Sequence, residues 1–173
     1  MSVYRVLTVC TANVCRSPAA AVILKTGLEQ AGLADQVEVG SAGTSWEAEG
    51  HPIDERTLLS LERAGYRVQE HVARSVVVSE LAEWDLVLAM TASHHSTLAR
   101  KLEVIPGGPA GTELRMWGAF DPLAQPDASP EELDVPDPWY EEQEAFDRVI
   151  LRIERAVPAL IRYIRSQIEE RTP

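Results

Sequence analysis

Two cysteines five residues apart, followed directly by an arginine, are the residues of this sequence best suited to chemistry. Cys10, Cys15 and Arg16 lie in the segment CTANVCRSP. A cysteine thiolate is a strong nucleophile, and the planar fork of an arginine binds a phosphoryl group through two parallel hydrogen bonds. Ser17, the next residue, could donate a hydrogen bond to the thiolate. The segment therefore predicts a nucleophile, Cys10, beside a phosphate-binding arginine, Arg16.

The elements around this segment predict that it binds an anion. Residues 4–9 form a short apolar run typical of a buried strand. Ser17 and Pro18 are typical of a helix start, because serine is a good N-cap and proline is favoured at the first helical position. A strand that turns directly into a helix points backbone N–H groups and the positive end of the helix dipole at one spot. In an open parallel sheet this spot lies at the carboxyl end of the strand, where ligands bind.

Strand and helix patterns alternate along the rest of the chain. Further strands are predicted at residues 37–39, 86–90 and 114–116, and helices after residues 17, 54, 79 and 93. A last helix is expected from Tyr140, with a kink at Pro158. Residues 121–138 hold five prolines among acidic residues and predict a long loop without regular structure. The alternation predicts the α/β class, a three-layer sandwich in which helices cover both faces of a four-stranded parallel sheet.

Length and composition are those of one soluble globular domain. The 173 residues are 45% hydrophobic and 25% charged, so residues 1–173 are predicted to form a single domain, with about residues 166–173 extending the last helix. The net charge of −11 argues against nucleic acid or an anionic membrane surface as partner, since both attract basic proteins. No apolar run is long enough to cross a membrane, and the N-terminus lacks a signal-peptide cleavage site. Two cysteines in one short segment favour a reduced, cytoplasmic protein.

Hydrolysis of a phosphate ester also requires an acid that protonates the leaving oxygen. The acidic, proline-rich stretch 121–138 is the segment of the chain that offers mobile carboxylates. Asp121, Asp127, Asp134 and Asp137 compete for this role. Asp137 is favoured because two aromatic residues that could line a cleft follow it closely, but the residues alone leave the choice open. The reaction so predicted needs no metal and no cofactor.

At these positions the chain resembles the low molecular weight protein tyrosine phosphatases, whose active-site signature is Cys-x5-Arg-Ser-Pro near the N-terminus. The resemblance extends to about residue 165 through Ser41-Ala42-Gly43-Thr44, Trp46, His71 with Arg74, residues 85–90 and Asp137-Pro138-Trp139-Tyr140. It implies a flavodoxin-like (Rossmann-like) sheet with the phosphate-binding loop after the first strand. It also implies that Cys10 is the nucleophile, Arg16 the phosphate clamp and Asp137 the general acid and base.

The resemblance implies roles for further residues around the loop. The loop itself would comprise Thr11, Ala12, Asn13, Val14 and Cys15, and a supporting hydrogen-bond network would comprise Asn13, Ser17, Ser41 and His71. Aromatic walls that sandwich a phenyl ring would be Trp46, Trp139 and Tyr140. Cys15 is either a small core residue or a thiol that traps oxidised Cys10 as a disulfide, and the resemblance favours the second role.

The sequence departs from the family pattern at three places. Ala12 stands where the family usually has glycine, so that backbone position must accommodate a Cβ atom. Thr91 stands where an aspartate usually follows the strand. Residues 105–112 resemble an insertion before the fourth strand. None of these changes removes a group that makes or breaks a bond.

The predicted function is that of a phosphotyrosine-protein phosphatase that works through a phosphocysteine on Cys10. Its partner would be a phosphotyrosine-containing protein, and the chain would be a monomer or weak dimer. The alternatives are a protein arginine phosphatase, in which threonine usually replaces Val14, a thioredoxin-coupled arsenate reductase, and a non-catalytic phosphate-binding module. Among the remaining polar residues, His51, His94 and His95 are predicted to be exposed to solvent.

Overall fold

The sheet predicted from the alternating pattern is present in the computed structural model, which describes residues 3–108 and 111–171. Its four strands, all parallel, are ordered β2-β1-β3-β4. They are β1 (Tyr4–Cys10), β2 (Val37–Gly43), β3 (Leu86–Ala89) and β4 (Glu113–Met116). Between and after them lie α1 (Arg16–Gln30), α2 (Glu55–Arg63), α3 (Val78–Leu81), α4 (Ala92–Glu103) and α5 (Gln143–Glu170). The predicted α/β fold is therefore confirmed.

Helices cover both faces of the sheet, because both faces of its central strands are apolar. On β1, Val6 packs into a cluster with α1, α2 and α5, whereas the adjacent Leu7 packs into a second cluster with α3 and α4. On β3, Leu88 and Val87 divide between the same two clusters. Continuous apolar strands of this kind are typical of parallel sheets buried on both faces. Since β1 lies in the middle of the sheet, its carboxyl end is enclosed on both sides.

The boundaries of two helices differ from the prediction. The last helix, α5, begins at Gln143 rather than Tyr140 and runs unbroken through Pro158, which lies exposed on its surface. Residues 138–141 instead form a turn in which the Glu141 N–H donates to the carbonyl of Pro138 (2.9 Å). The first helix, α1, begins at Arg16, so Ser17 lies inside its first turn and is not the N-cap.

The proline-rich stretch 121–138 is irregular for most of its length, but the expectation that it lacks regular structure is wrong for one turn. Residues Pro130–Leu133 form a 3-10 helix that begins with a capping box between Ser129 and Glu132. Of the expected insertion at residues 105–112, Pro109 and Ala110 lie outside the described residues, as do Thr172 and Pro173 of the expected C-terminal extension. Within the described residues, no helix combines the length and the apolar character needed to cross a membrane.

Candidate active site

The predicted nucleophile lies at the carboxyl end of β1, where the chain enters the loop that leads to α1. Cys10 is 3% exposed, and its Sγ atom lies 3.0 Å from the hydroxyl oxygen of Ser17. Because Ser17 is inside the first helical turn, its hydroxyl does not cap the helix; it lies between the Cys10 sulfur and the Ala42 carbonyl oxygen (3.2 Å), to either of which it can donate. A hydroxyl at this distance can donate to a thiolate and stabilise the sulfur as an anion.

The loop between β1 and α1 is held open by Asn13, whose backbone is in the left-handed region (φ 58°). Asparagine tolerates this conformation better than most residues. Its buried side-chain amide donates to the hydroxyls of Ser17 and Ser41 (2.9 Å each), and its side-chain oxygen accepts from the N–H of Arg74 (3.0 Å). His71 Nε2 lies 2.7 Å from the Asn13 carbonyl oxygen. The structure thus brings together the four residues expected to support the loop.

Gly43, at the end of β2, lies directly beneath this loop. An ideal Cβ atom at Gly43 would be 2.5 Å from the carbonyl oxygen of Thr11 and 3.1 Å from the carbonyl carbon of Ala12. The next residues also hold the loop, because the N–H of Thr44 donates to the Cys10 carbonyl and that of Ser45 to the Thr11 carbonyl (2.9 Å each). Glycine is required here because the two backbones approach so closely.

Arg16 and Asp137 lie side by side, although they are far apart in the sequence. The Arg16 side chain is 5% exposed and its Nη2 atom is 3.3 Å from Asp137 Oδ2. Its Nη1 atom donates to the carbonyl of Val135 (3.1 Å). The Asp137 side chain is 52% exposed and accepts from the N–H of Trp139 (3.1 Å). The Arg16 guanidinium is therefore held by the Val135 carbonyl in a buried position, while the Asp137 carboxylate is half-exposed to solvent.

The other three aspartates that the sequence offered as the general acid either bind other groups or do not line the cleft. Asp121 forms an ion pair with Arg155 (2.7 Å). Burial alone would raise the pKa of Asp121, but hydrogen bonds from Arg155 and the Leu123 N–H outweigh it and hold this pKa below its usual range. Asp134 accepts from the N–H of Ala92 (2.7 Å) at the start of α4. Asp127 is exposed and is not among the residues that line the cleft.

An open cleft of about 780 Å³ leads from the surface to Cys10. Its floor is the phosphate loop, and Asp137, Trp139 and Tyr140 form one side. Tyr140 is 94% exposed, so its ring stands at the mouth. Trp46, expected as a wall, is 74% exposed and does not line the cleft, although its neighbours Glu47 and Ala48 do.

His51 and Arg56 are among the cleft residues that the sequence did not predict to belong to the site. His51, expected on the surface, is exposed but also lines the cleft. Arg56 lines it as well and joins α2 to the segment that carries Asp137. The sequence does show Asp54, the N-cap of α2, two residues before Arg56, and this spacing could have predicted their ion pair. It could not have predicted the contacts of Arg56 with Trp139 and Glu141, which are distant in sequence.

The prediction that His94 is exposed is wrong, because the N-cap of α4 turns its ring inward. His94 is 5% exposed; its Nε2 atom lies 2.8 Å from Thr11 Oγ1 and its Nδ1 atom 3.0 Å from Thr91 Oγ1. Burial lowers the pKa of His94 to about 4, with a further lowering by Arg16 that Asp137 partly offsets. A neutral ring can donate through one nitrogen and accept through the other, so His94 connects the phosphate loop to α4.

Cys15 is the N-cap residue of α1 and lies in a small apolar cluster with Val14, Ala73 and Phe146. Burial raises the pKa of its thiol to about 12. The thiol is therefore protonated at neutral pH, which makes Cys15 a poor nucleophile in the resting enzyme.

Comparisons with known proteins show which family this chain resembles. The family model of the low molecular weight phosphotyrosine protein phosphatases matches residues 5–170. A low molecular weight protein-tyrosine-phosphatase of Streptomyces coelicolor is 36% identical over 168 residues, which cover 97% of this chain and 98% of the relative. The low molecular weight protein-tyrosine phosphatase A of Mycobacterium tuberculosis is 36% identical over 166 residues, 95% of this chain and 94% of the relative.

Solved structures agree at the level of the fold. The crystal structure of a protein tyrosine phosphatase from Entamoeba histolytica matches with a TM-score of 0.81 at 29% identity, and the match covers 95% of this chain and 98% of the other. In this chain Cys10, at the end of the central strand β1, and Arg16, at the start of α1, line the same cleft. The chain belongs to the low molecular weight phosphotyrosine protein phosphatase family.

Proposed function

We propose that this protein hydrolyses phosphotyrosine in proteins through a phosphocysteine on Cys10. The observation that carries the proposal is that three groups line one cleft: the Cys10 sulfur, the buried Arg16 guanidinium and the Asp137 carboxylate, which lies 3.3 Å from Arg16. They match the three requirements of phosphoryl transfer, which are an attacking group, stabilisation of the equatorial oxygens and a proton for the leaving oxygen.

In the first step, the Cys10 thiolate attacks phosphorus, and the bond from phosphorus to the tyrosine oxygen breaks as the sulfur–phosphorus bond forms. Asp137 donates its proton to the departing phenolate oxygen. Arg16 and the backbone N–H groups of the loop stabilise the charge on the three equatorial oxygens. The bound phosphoryl group takes up the guanidinium face that pairs with Asp137 in the free enzyme.

In the second step, the ionised Asp137 takes a proton from a water molecule as the water oxygen attacks phosphorus. The sulfur–phosphorus bond breaks, inorganic phosphate leaves and Cys10 returns to the thiolate. The hydroxyl of Ser17, 3.0 Å from the sulfur, donates to this leaving thiolate. Apart from water, every group that the mechanism uses is a side chain or a backbone N–H of this chain, so the proposed mechanism uses no metal and no cofactor.

The shape of the cleft favours a flat aromatic ester. Cys10 lies at its bottom, and the aromatic residues Trp139 and Tyr140 line its side, so a phenyl ring can span the depth that a short phosphoserine cannot. Val14, also in the lining, presents a branched apolar group and offers no hydrogen bond to the nitrogen of a phosphoguanidinium. We therefore propose phosphotyrosine proteins as substrates in preference to phosphoserine or phosphoarginine proteins.

A cytoplasmic location and a monomeric or weakly dimeric state complete the proposal. The reaction needs Cys10 as a free thiol, and Cys10 and Cys15 are both unpaired, which fits a reducing compartment. The net charge of −11 disfavours nucleic acid and anionic membranes as partners.

The decisive experiment is turnover of para-nitrophenyl phosphate by the wild type beside Cys10→Ser, with EDTA present in both assays. We expect turnover by the wild type only, and retained binding of vanadate by Cys10→Ser, because Arg16 and the loop amides are unchanged. Turnover by Cys10→Ser with the wild-type pH profile would contradict the covalent mechanism. Comparison of kcat/KM on phosphotyrosine, phosphoserine and phosphoarginine peptides tests the substrate class, and preference for phosphoarginine would overturn it.

A further inference from the structure

The segment that carries Asp137 is anchored on both sides of this half-exposed residue. On the upstream side, the buried Val135 donates its N–H to the Met90 carbonyl (2.8 Å) and accepts from Arg16 through its own carbonyl (3.1 Å). Asp134 accepts from the Ala92 N–H (2.7 Å). These contacts fix the chain only up to two residues before Asp137, so its carboxyl group also depends on what holds the chain after it.

On the downstream side, the anchor is the side chain of Arg56. Its Nη1 atom donates to the carbonyls of Trp139 (3.0 Å) and Glu141 (3.4 Å). The guanidinium carbon lies 5.4 Å from the centre of the Trp139 ring and 4.3 Å from that of Phe146, within the range of cation–π contacts. One guanidinium thus holds the backbone and one aromatic ring of residues 139–141.

Arg56 is itself tied to the phosphate loop through Asp54. The Asp54 carboxylate accepts from Arg56 Nε (3.2 Å) and Nη2 (3.1 Å), and the Asp54 N–H donates to the carbonyl of Val14 (2.9 Å). Three consecutive contacts therefore join the loop that holds the phosphate to the segment that holds the acid. Nothing in the reaction proposed above uses this connection.

We propose that Arg56 is a positioning residue that sets where the Asp137 carboxyl group stands relative to the leaving oxygen. This inference rests on the proposed function, in which Asp137 protonates that oxygen. A general acid must lie within hydrogen-bond distance of the atom it protonates, and displacement by about 1 Å can cost about a hundredfold in rate. In this role Arg56 acts through the position of Asp137 and not as a ligand of the phosphate.

The geometry requires arginine rather than another cation. One edge of the guanidinium binds the Asp54 carboxylate, while a third nitrogen reaches the carbonyls and its flat face lies over the Phe146 ring. The ammonium of lysine is a point charge on a flexible chain and cannot make all of these contacts at once. Arg56→Lys should therefore reproduce most of the defect of Arg56→Met.

The test is a series of aryl phosphates whose leaving groups range from very good to poor. For Arg56→Met and Arg56→Lys we expect kcat/KM to fall at least about tenfold on esters with poor leaving groups and to change little on those with very good ones, which need little protonation. Rates are normalised to the fraction of enzyme that binds vanadate, so that a smaller amount of folded protein does not lower the measured kcat/KM. Arg63→Met is the control, because Arg63 is on the same helix but pairs with Asp147, and it should leave the series unchanged.

A double mutant separates this role from a general structural one. In the Asp137→Asn background the acid is already absent, so Arg56→Met should cause almost no further loss on poor leaving groups. Equal losses across the series for Arg56→Met, or additive losses in the double mutant, would overturn the positioning role. Absence of wild-type turnover, or turnover by Cys10→Ser, would instead contradict the proposed function itself.

Discussion

At the scale of single residues, the two cysteines of the loop lie in different surroundings. Cys10 faces the hydroxyl of Ser17 at the end of a strand, whereas Cys15 lies among apolar side chains, where burial raises its pKa to about 12. Both cysteines line the cleft, but Cys10 has the Ser17 hydroxyl beside its sulfur, whereas Cys15 packs against Ala73 and Phe146. Reactivity therefore follows the surroundings of the thiol rather than the residue type.

This difference leads to a prediction about oxidation. Peroxide should convert the Cys10 thiolate to a sulfenic acid, and the Cys15 thiol should then condense with it to form a disulfide and release water. Mass spectrometry after mild peroxide treatment should find the Cys10–Cys15 bond, and reductant should restore activity. Because Cys15 is protonated at neutral pH, bond formation should accelerate as the pH is raised. If Cys15→Ser recovers from peroxide as fully as the wild type, Cys15 has only a packing role.

At the scale of the elements, the end of β2 determines the shape of the phosphate loop. Gly43 lies where a Cβ atom would approach the backbone of Thr11 and Ala12. Gly40, three residues earlier on the same strand, has instead the side chain of Trp84 as its closest neighbour, 2.6 Å from an ideal Cβ. Substitution of each glycine by alanine therefore gives a matched pair of variants. The methyl group added at Gly43 would contact the loop backbone, and the one added at Gly40 would contact the buried Trp84 side chain.

We expect Gly43→Ala and Gly40→Ala each to lower the free energy of unfolding by about 1–3 kcal/mol, since both add a methyl group to packed surroundings. Only Gly43→Ala should also weaken phosphate binding, because only there does the added group displace loop backbone. Urea unfolding measures the first effect, and competitive inhibition by inorganic phosphate measures the second. An unchanged inhibition constant for Gly43→Ala would show that β2 does not shape the loop.

At the scale of the whole molecule, a buried neutral histidine in the first turn of α4, His94, contacts Thr11 of the loop between β1 and α1. The pKa of His94 is about 4 in the folded protein and near 6.5 for histidine in an unfolded chain. Between these values the unfolded chain binds more protons than the folded one, so stability is lost as the pH falls from about 6.5 to 4. At a pH below about 4, this difference in pKa lowers the free energy of unfolding by about 3 kcal/mol relative to its value at neutral pH.

We predict that His94→Gln removes the loss of stability that protonation of His94 causes between about pH 6.5 and pH 4. The variant should be less stable than the wild type at pH 7.5, because it lacks the contacts of the ring with Thr11 and Thr91, and the gap should narrow as the pH falls toward 4. Urea unfolding at pH 7.5, 5.5 and 4.5 measures the gap. His95→Gln is the control, since His95 is partly exposed, and a gap that stays constant in His94→Gln would contradict the prediction.

The part of the protein that could be predicted from sequence is the part whose contacts are local. The residues from Cys10 to Ser17 form one continuous loop between a strand and a helix, so their types and order were enough to predict an anion site and its nucleophile. The N-cap of α2 is also a local feature: the Asp54 side chain accepts from the N–H groups of Arg56 and Thr57, as its position before the helix predicts. The buried strands were also readable, because parallel strands covered on both faces are continuously apolar.

Only the tertiary structure decided which distant side chains complete the site. Arg16 contacts the segment that carries Asp137 through Val135, 119 residues later. Arg56 contacts Trp139 across 83 residues, and Thr11 contacts His94 across 83 residues. The sequence around Asp137 could not separate it from Asp121 and Asp134, because all three are acidic residues near prolines in one irregular stretch. They differ in what the fold places against them: Arg155 for Asp121, the start of α4 for Asp134, and the open cleft with Arg16 for Asp137.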